Sequence, residues 1–232
     1  MMQLLAAFTV FVALHSLPAK PVVRARLVSR LGHGTYIALY SVVSLLALTW
    51  LFYAAFNLDY VELWAPAAWQ GWITFATAPL GIFFVLAGLF SRNPFSTTAR
   101  HGGGEPGAIV AITRHPVLWG FVLWAAGHIP PNGDVRSVFL FGGFALFTAG
   151  SMAMLEKRSR KKLGARWEPL ARSTSIVPFA SALTGRATLK LDAAMALSLL
   201  LAAAVLVWLL GGGHQWLFAA DPLEFLTAFQ GA

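Results

Sequence analysis

Six long apolar segments, separated by polar loops, constrain the fold of this chain more than any other feature. They cover Met1 to Leu17, Tyr36 to Phe56, Trp72 to Phe90, Pro116 to Pro130, Val138 to Leu155 and Ala193 to Leu210. A bilayer core about 30 Å thick needs roughly 20 apolar residues per helix. The sequence therefore predicts an all-α, polytopic transmembrane helix bundle with about six spans, forming one domain over residues 1–232.

The composition supports this prediction and excludes several kinds of site. Of the 232 residues, 58% are hydrophobic and 11% are charged, against about 45–50% and about 25% in soluble domains. The apolar excess is spread along the chain, which favours many spans over a soluble domain with one anchor. Cysteine is absent, so a disulfide framework, a thiolate metal site, a cysteine nucleophile and a covalent c-type haem are excluded.

The basic residues predict the orientation in the membrane. Of the 17 Lys and Arg residues, 16 fall in the loops after the first, third and fifth segments. The other side carries Arg136 and the acidic residues Asp59, Glu62, Asp134, Asp221 and Glu224. Because basic loops stay in the cytoplasm, both termini are predicted to lie outside a bacterial inner membrane. The charge of +8 then indicates contact with membrane lipids, and no nucleic-acid partner is expected.

The ends of several segments carry further predictions. Met1–Met2–Gln3 lacks a basic n-region and no A-x-A site follows, so the first segment is predicted to be a span and not a cleaved signal peptide. The fourth segment is short unless it extends back through Ile109–Ile112, and Pro130–Gly133 predicts a tight turn after it. The fifth helix is predicted to continue out of the membrane and then lie on its surface, with Leu163 and Trp167 facing lipid.

Three of the six histidines lie in or at the edge of apolar helices, where ionisable side chains are costly and indicate function. These three are His15, His115 and His128, whereas His33, His101 and His214 lie in polar stretches and are predicted to be solvated. Any one of the three alone is most simply an interfacial histidine bonded to a carbonyl or to water. Together they predict a shared ligand, and in the absence of sulfur ligands haem b fits best.

The depth of these histidines leaves two pairings open. His128 lies about 20 Å beyond His115 along the helix axis, and His15 lies near the cytoplasmic end of the first segment. Two axial ligands of one iron must share a depth, so the spans as drawn favour His15 with His115. Pairing His15 with His128 requires the first helix to shift outward or the fourth to lie deeper. Catalytic residues are left unassigned.

A set of motifs then suggests a family. They are His15-Ser16, Gly32-x-x-x-Tyr36-x-x-x-Tyr40-Ser41, Thr113-Arg114-His115-Pro116, Trp124-x-x-x-His128 and Asn132-Gly133-Asp134. Over about residues 3–210 the chain resembles the NnrU family, which is named for bacteria that metabolise nitrogen oxides. That family is similar in turn to the 15-cis-ζ-carotene isomerases, which are membrane enzymes that use haem b. The resemblance implies a link to denitrification or an isomerase-like activity.

The resemblance also implies roles for particular residues. His15 and His128 correspond to haem ligands, with Arg114 and His115 at the cytoplasmic mouth, where Arg114 could pair with a haem propionate. Ala125 stands where the isomerases have a cysteine, so a ligand-switching mechanism is not carried over. The implied function is haem-dependent redox or isomerase chemistry on a lipid-soluble or nitrogen-oxide ligand. The alternative is a non-catalytic membrane assembly factor, sensor or transporter.

A more distant resemblance points to methyl transfer. The residues concerned are Arg114-His115-Pro116, Gly120, Glu156 and Leu163-Gly164-x-x-Trp167. They are similar to motifs of the isoprenylcysteine and phospholipid methyltransferases, in which Arg-His-Pro and a Glu pair help hold S-adenosylmethionine. Here Leu118 replaces the usual Tyr, and Lys157 replaces the second Glu and reverses its charge. The fold relationship is therefore expected to persist with methyl transfer lost.

Overall fold

The computed structural model describes residues 1–18, 20–96 and 105–228. The predicted all-α fold is confirmed, because within these ranges the chain is built from helices, with one isolated antiparallel bridge between Glu62 and Asp134. His101 and the glycines 102–104 lie outside the described residues.

The helices follow one another along the chain with short connections. In chain order they are α1 (Met2–Ser16), α2 (Pro21–Leu31), α3 (His33–Phe56), α4 (Ala68–Phe90), α5 (Ile109–Ile112), α6 (Pro116–Asn132), α7 (Val135–Ser137), α8 (Gly143–Leu163), α9 (Trp167–Arg172), α10 (Ala180–Leu183), α11 (Ala193–Trp208), α12 (His214–Phe218) and α13 (Pro222–Ala228). A π-helical turn, Val138–Gly142, leads into α8, and a second, Leu209–Gly213, follows α11.

Several of these helices are long and apolar enough to cross a membrane. Four qualify in the described part of the chain: His33–Phe56, Ala68–Phe90, Val135–Arg172 and Ala193–Phe218, and α1 with α2 gives a fifth if counted as one bent span. Helix α6, with 17 residues, is at the lower limit of about 17 for a span. The polytopic helical class is thus confirmed, whereas the count of six and the outward termini stay predictions.

The packing of the chain separates it into two units, the first comprising Met1–Trp64 and Asp134–Leu140 and the second Ala65–Gly133 and Phe141–Ala232. In the first unit α1 packs on α3. Leu4, Ala7 and Phe11 recur at helical spacing on α1 and are buried, which is the pattern that one apolar helix face produces.

In the second unit α4 and α6 approach each other closely because glycines meet where they cross. A Cβ built on Gly120 would lie 2.5 Å from the Gly81 carbonyl oxygen and 2.6 Å from Val85 Cγ2. Further along, Thr74 Oγ1 donates to the Gly127 carbonyl, 2.6 Å away. Gly81 and Gly120 therefore allow the close packing of these two helices.

Helix α6 begins at the predicted residue, Pro116, and runs two residues beyond the predicted end, Pro130. Ile109–Ile112 forms a separate turn, because Thr113 is extended (φ −156°), so α6 begins at Pro116. At its other end α6 runs through two prolines before Gly133 stops it in the left-handed region (φ 60°). Pro131 has no N–H for the Gly127 carbonyl, and the Thr74 hydroxyl that donates to this oxygen replaces the missing bond.

The segment after α8 also folds differently from the prediction. Leu163 and Trp167, predicted to face lipid, are partly buried and pack against a buried cluster in the second unit. The cluster consists of Phe84, Ala87, Phe95, Ile109, Val110, Ile112 and Met195. Gly164 has a positive φ of 54° at the end of α8, a conformation that favours glycine, and there the chain turns onto this cluster.

Candidate functional site

Arg114 and His115 occupy the extended turn between α5 and α6. The Arg114 N–H donates to the Ser175 carbonyl at 2.9 Å, and Asn93 Nδ2 donates to the Arg114 carbonyl at 2.9 Å. The Thr113 hydroxyl oxygen accepts the His115 N–H at 3.3 Å. Neighbouring segments thus fix the backbone of this turn, and the two basic side chains leave it in set directions.

Both side chains meet Glu156 on α8. Arg114 Nε lies 3.0 Å from Glu156 Oε1 and Nη2 lies 3.1 Å from Oε2, which is the bidentate arrangement. His115 Nε2 lies 2.7 Å from the same Oε1, and it donates because an ionised carboxylate only accepts. The exposed fractions of the three side chains are 10% for Arg114, 1% for His115 and 16% for Glu156. These residues form a largely buried ion cluster.

The remaining donors of Arg114 are also directed to protein groups. Its Nη1 lies 3.2 Å from the Thr174 carbonyl, 3.1 Å from Thr174 Oγ1 and 3.4 Å from the Ala171 carbonyl. The guanidinium carbon lies 5.6 Å from the centre of the Phe95 ring and 5.5 Å from that of Trp167, within cation–π range. Arg114 thereby connects the start of α6 with α8 and with the chain that follows α9.

This geometry is well suited to holding segments together. Buried charges are tolerated where they are paired and hydrogen-bonded, and both carboxylate oxygens of Glu156 are engaged. A haem propionate or S-adenosylmethionine bound here would compete with Glu156 and Thr174 for the Arg114 guanidinium. The assignment of Arg114 and His115 to cofactor binding stays a prediction.

His128 lies near the other end of α6 and is oriented by its own helix. Its Nδ1 lies 2.6 Å from the Trp124 carbonyl oxygen. The imidazole ring is stacked near Phe141, with 5.1 Å between ring centres, and lies 5.2 Å from the Trp124 ring. A carbonyl oxygen only accepts, so Nδ1 carries the hydrogen, and the lone pair of the neutral ring is on Nε2. That nitrogen commonly ligates metals.

His15 in the first unit has the same local arrangement on α1. Its Nδ1 lies 2.8 Å from the Phe11 carbonyl oxygen, one helical turn earlier. The ring centre of His15 is 4.2 Å from that of Phe11 and 6.1 Å from that of Tyr40. The tautomer argument used for His128 therefore also places the lone pair of a neutral His15 on Nε2.

The structure brings some of the predicted residues together. Arg114 and His115 meet at Glu156, whereas His128 is about 20 Å from His115 along α6, and His15 belongs to the first unit. In the described part of the chain no three histidine, aspartate or glutamate side chains are grouped so as to hold a metal ion.

Two residues of the Arg114 site, Thr174 and Phe95, were missed by the sequence analysis. Thr174 is 60 residues from Arg114 and lies in a polar connection without a motif. Phe95 follows an Asn-Pro pair that indicates a turn and nothing more, and Trp167 was predicted to face lipid. The methyltransferase resemblance is the signal that had singled out Glu156 and Trp167.

These features define the class of the protein as a polytopic, all-α membrane protein. Residues 3–222 match the model of the family described as NnrU protein, and the chain belongs to the NnrU family. The predicted membership of this family is confirmed, while the relation to the carotene isomerases stays a prediction. No curated protein and no solved structure matches the chain.

Proposed function

We propose that this NnrU protein binds haem b in the membrane, with His15 and His128 as iron ligands. The observation that supports the proposal is the hydrogen bond common to both residues, from Nδ1 to the carbonyl one turn earlier. Ligating histidines are typically oriented by such a bond from their other nitrogen. His115 differs, because its Nε2 contacts Glu156, which favours His128 as the second ligand.

The surroundings of the two histidines suit a flat, apolar macrocycle. Each imidazole lies among aromatic rings, those of Phe11 and Tyr40 near His15 and those of Trp124 and Phe141 near His128. Bound haem b would supply an iron that changes between the ferric and ferrous states. The role of the protein would be to orient the two imidazole rings. The substrate class that we propose is a lipid-soluble molecule or a nitrogen oxide, acted on by redox or isomerase chemistry.

The test is the haem content of the purified protein. The chain is expressed with a haem precursor and purified in detergent, and pyridine haemochrome quantification should give close to one haem b per chain. His15→Ala and His128→Ala should each lower this ratio strongly, because iron loses an axial ligand. His33→Ala is the matched control, since His33 is exposed at the start of α3, and it should keep the haem.

Two outcomes would contradict the proposal. One is a colourless protein after haem supplementation, which would favour a non-catalytic assembly factor, sensor or transporter. The other is an unchanged haem ratio in both histidine variants, provided that gel filtration shows them folded. In that case haem binds elsewhere in the chain.

A second candidate function is binding of S-adenosylmethionine. It is supported by the meeting of Arg114, His115 and Glu156 in one cluster. Titration calorimetry with S-adenosylmethionine should show binding to the intact protein and none to Glu156→Gln. An absence of heat with the intact, folded protein would remove this candidate.

A further inference from the structure

The connection between α9 and α11 is fixed by hydrogen bonds to α5, to the turn after it and to the start of α6. The Ile176 carbonyl accepts from Thr113 Oγ1 at 2.7 Å and from Trp119 Nε1 at 2.8 Å. The Phe179 N–H donates to the Ile112 carbonyl at 2.9 Å. Ser181 Oγ donates to the Ala111 carbonyl at 2.8 Å. The backbone of this connection is therefore held in place at several points.

Although its backbone is held, this connection leaves large apolar side chains exposed. The exposed side chains are Val177 (59%), Phe179 (43%), Leu183 (86%), Leu189 (49%) and Leu191 (65%). Large apolar side chains that are exposed on a segment with a fixed backbone indicate a surface that contacts another apolar phase. By contrast, Leu163 and Trp167, nearby in the chain, pack into the protein.

Phe179 adds a second, conformational observation. Its φ is +64°, in the left-handed region that a bulky L-residue rarely adopts. The backbone bond to Ile112 holds this conformation, yet 43% of the residue stays exposed. Backbone outliers that their surroundings hold in place are concentrated at functional sites, and this one carries a partly exposed bulky side chain.

The charges of this connection indicate what kind of apolar phase the exposed side chains contact. From Ser173 to Leu191 the chain contains Arg186 and Lys190 and no acidic residue, and both basic residues are exposed. The next acidic residue, Asp192, is engaged at the start of α11, where its carboxylate accepts the N–H groups of Ala108 and Met195. Exposed apolar side chains next to uncompensated basic ones are typical of segments that lie in the interface of an anionic bilayer.

We propose that residues 176–191 form an in-plane membrane anchor. Phe179 and Leu183 enter the interfacial region of the leaflet on the side of the basic loops, and Arg186 and Lys190 bind the phosphates of anionic phospholipids. The proposal concerns a different part of the protein from the haem histidines and does not depend on haem.

The absence of cysteine makes a direct test possible. Single-cysteine variants Leu183→Cys and Glu168→Cys are labelled with an environment-sensitive fluorophore in nanodiscs of phosphatidylcholine and phosphatidylglycerol. Glu168 is the control because its side chain is 79% exposed and charged. Lipids brominated in the acyl chain should quench the label at position 183 several-fold more than the label at position 168.

Two results would overturn the proposal. Equal quenching at the two positions would place Leu183 in water. Shielding of the label at 183 from both brominated lipid and an aqueous quencher would indicate a protein partner, such as a second copy of the chain.

The role of anionic phospholipids is tested by changing the lipid charge and by replacing Arg186 and Lys190. In nanodiscs of phosphatidylcholine alone, quenching at position 183 should fall compared with nanodiscs that contain phosphatidylglycerol. Arg186→Gln combined with Lys190→Gln should remove this dependence on lipid charge, as should high salt. A lipid dependence that the double variant retains would contradict the role of these two residues, and free inorganic phosphate should not change the quenching.

Discussion

His115 and His128 occupy the two ends of one helix, and they are bound by the protein in opposite ways. His115 is held through Nε2 by a carboxylate from another helix, Glu156. His128 is held through Nδ1 by the Trp124 carbonyl of its own helix. The nitrogen that the protein engages determines which nitrogen is left for chemistry. His115 is thus part of a network that joins segments, whereas the Nε2 of His128 is the nitrogen that the proposed haem iron would use.

The largest loss of stability is expected from removing the Glu156 carboxylate, which His115 contacts at the start of α6. Glu156→Ala leaves Arg114 and His115 without their shared acceptor, and breaking such a buried pair costs about 3 kcal/mol of unfolding free energy. Thermal unfolding in detergent should show a clearly lower melting temperature. Glu168→Ala is the control, because its pairing with Arg172 at 3.9 Å is exposed, and it should melt like the unmodified protein. Equal melting of the two variants would show that the cluster does not stabilise the fold.

Replacing each histidine separately sharpens the contrast between His115 and His128. His128→Ala should lose most of the bound haem, since iron loses a ligand, and its melting without haem should be close to that of the haem-free parent. His115→Ala should retain haem and melt at a lower temperature, because the Glu156 network loses a donor. Haem spectra and melting curves of both variants test this. The reverse pattern would move the iron to the His115 end.

The helix that carries both histidines should be sensitive to one added methyl group at its crossing with α4. Gly120→Ala places a Cβ 2.5 Å from the Gly81 carbonyl oxygen, and such overpacking costs about 2 kcal/mol. Melting temperature measures the loss. Gly150→Ala is the matched control, because nothing lies within 4 Å of its Cβ and alanine favours a helix. If the two variants melted alike, close packing at this crossing would be disproved.

The smallest loss of stability is expected from a substitution near the end of α6 that carries His128. Thr74→Val removes the hydroxyl that donates to the Gly127 carbonyl, and interhelical hydrogen bonds in membranes contribute roughly 0.6 kcal/mol. Thr9→Val is the control, because the Thr9 hydroxyl donates within its own helix to Leu5. A small loss of melting temperature is expected for Thr74→Val alone. A loss as large as that of Gly120→Ala would mean that α6 depends on this bond to continue past its prolines.

Much of the fold follows from local sequence, which is why it could be predicted. The segment predicted at Tyr36 to Phe56 is a helix over His33–Phe56, and that predicted at Trp72 to Phe90 is a helix over Ala68–Phe90. Apolar composition over a span's length is sufficient to specify such helices. The direction in which a side chain faces depends less on local sequence. Leu163 and Trp167 pack inward because the chain turns at Gly164.

The site could be predicted in part. His15, His115 and His128 stood out because ionisable side chains are rare in or at the edge of apolar helices, and Arg114 was found through the family resemblances. The partners of Arg114 could not be found in this way, since Thr174 is 60 residues away and carries no motif. The choice of Nε2 or Nδ1 on each histidine also depends on three-dimensional contacts.

The separation between Arg114 and its partners has a consequence for how the protein is made. Glu156 is 42 residues and Thr174 is 60 residues further along the chain. At about 5–20 residues per second, a ribosome completes Thr174 roughly 3–12 s after Arg114. Until Glu156 is made, about 2–8 s after Arg114 at the same rate, the guanidinium has neither partner, and Thr174 follows only later. Closure of this cluster is therefore a late event in biogenesis, and a chain truncated before Thr174 should be an early target of membrane proteases.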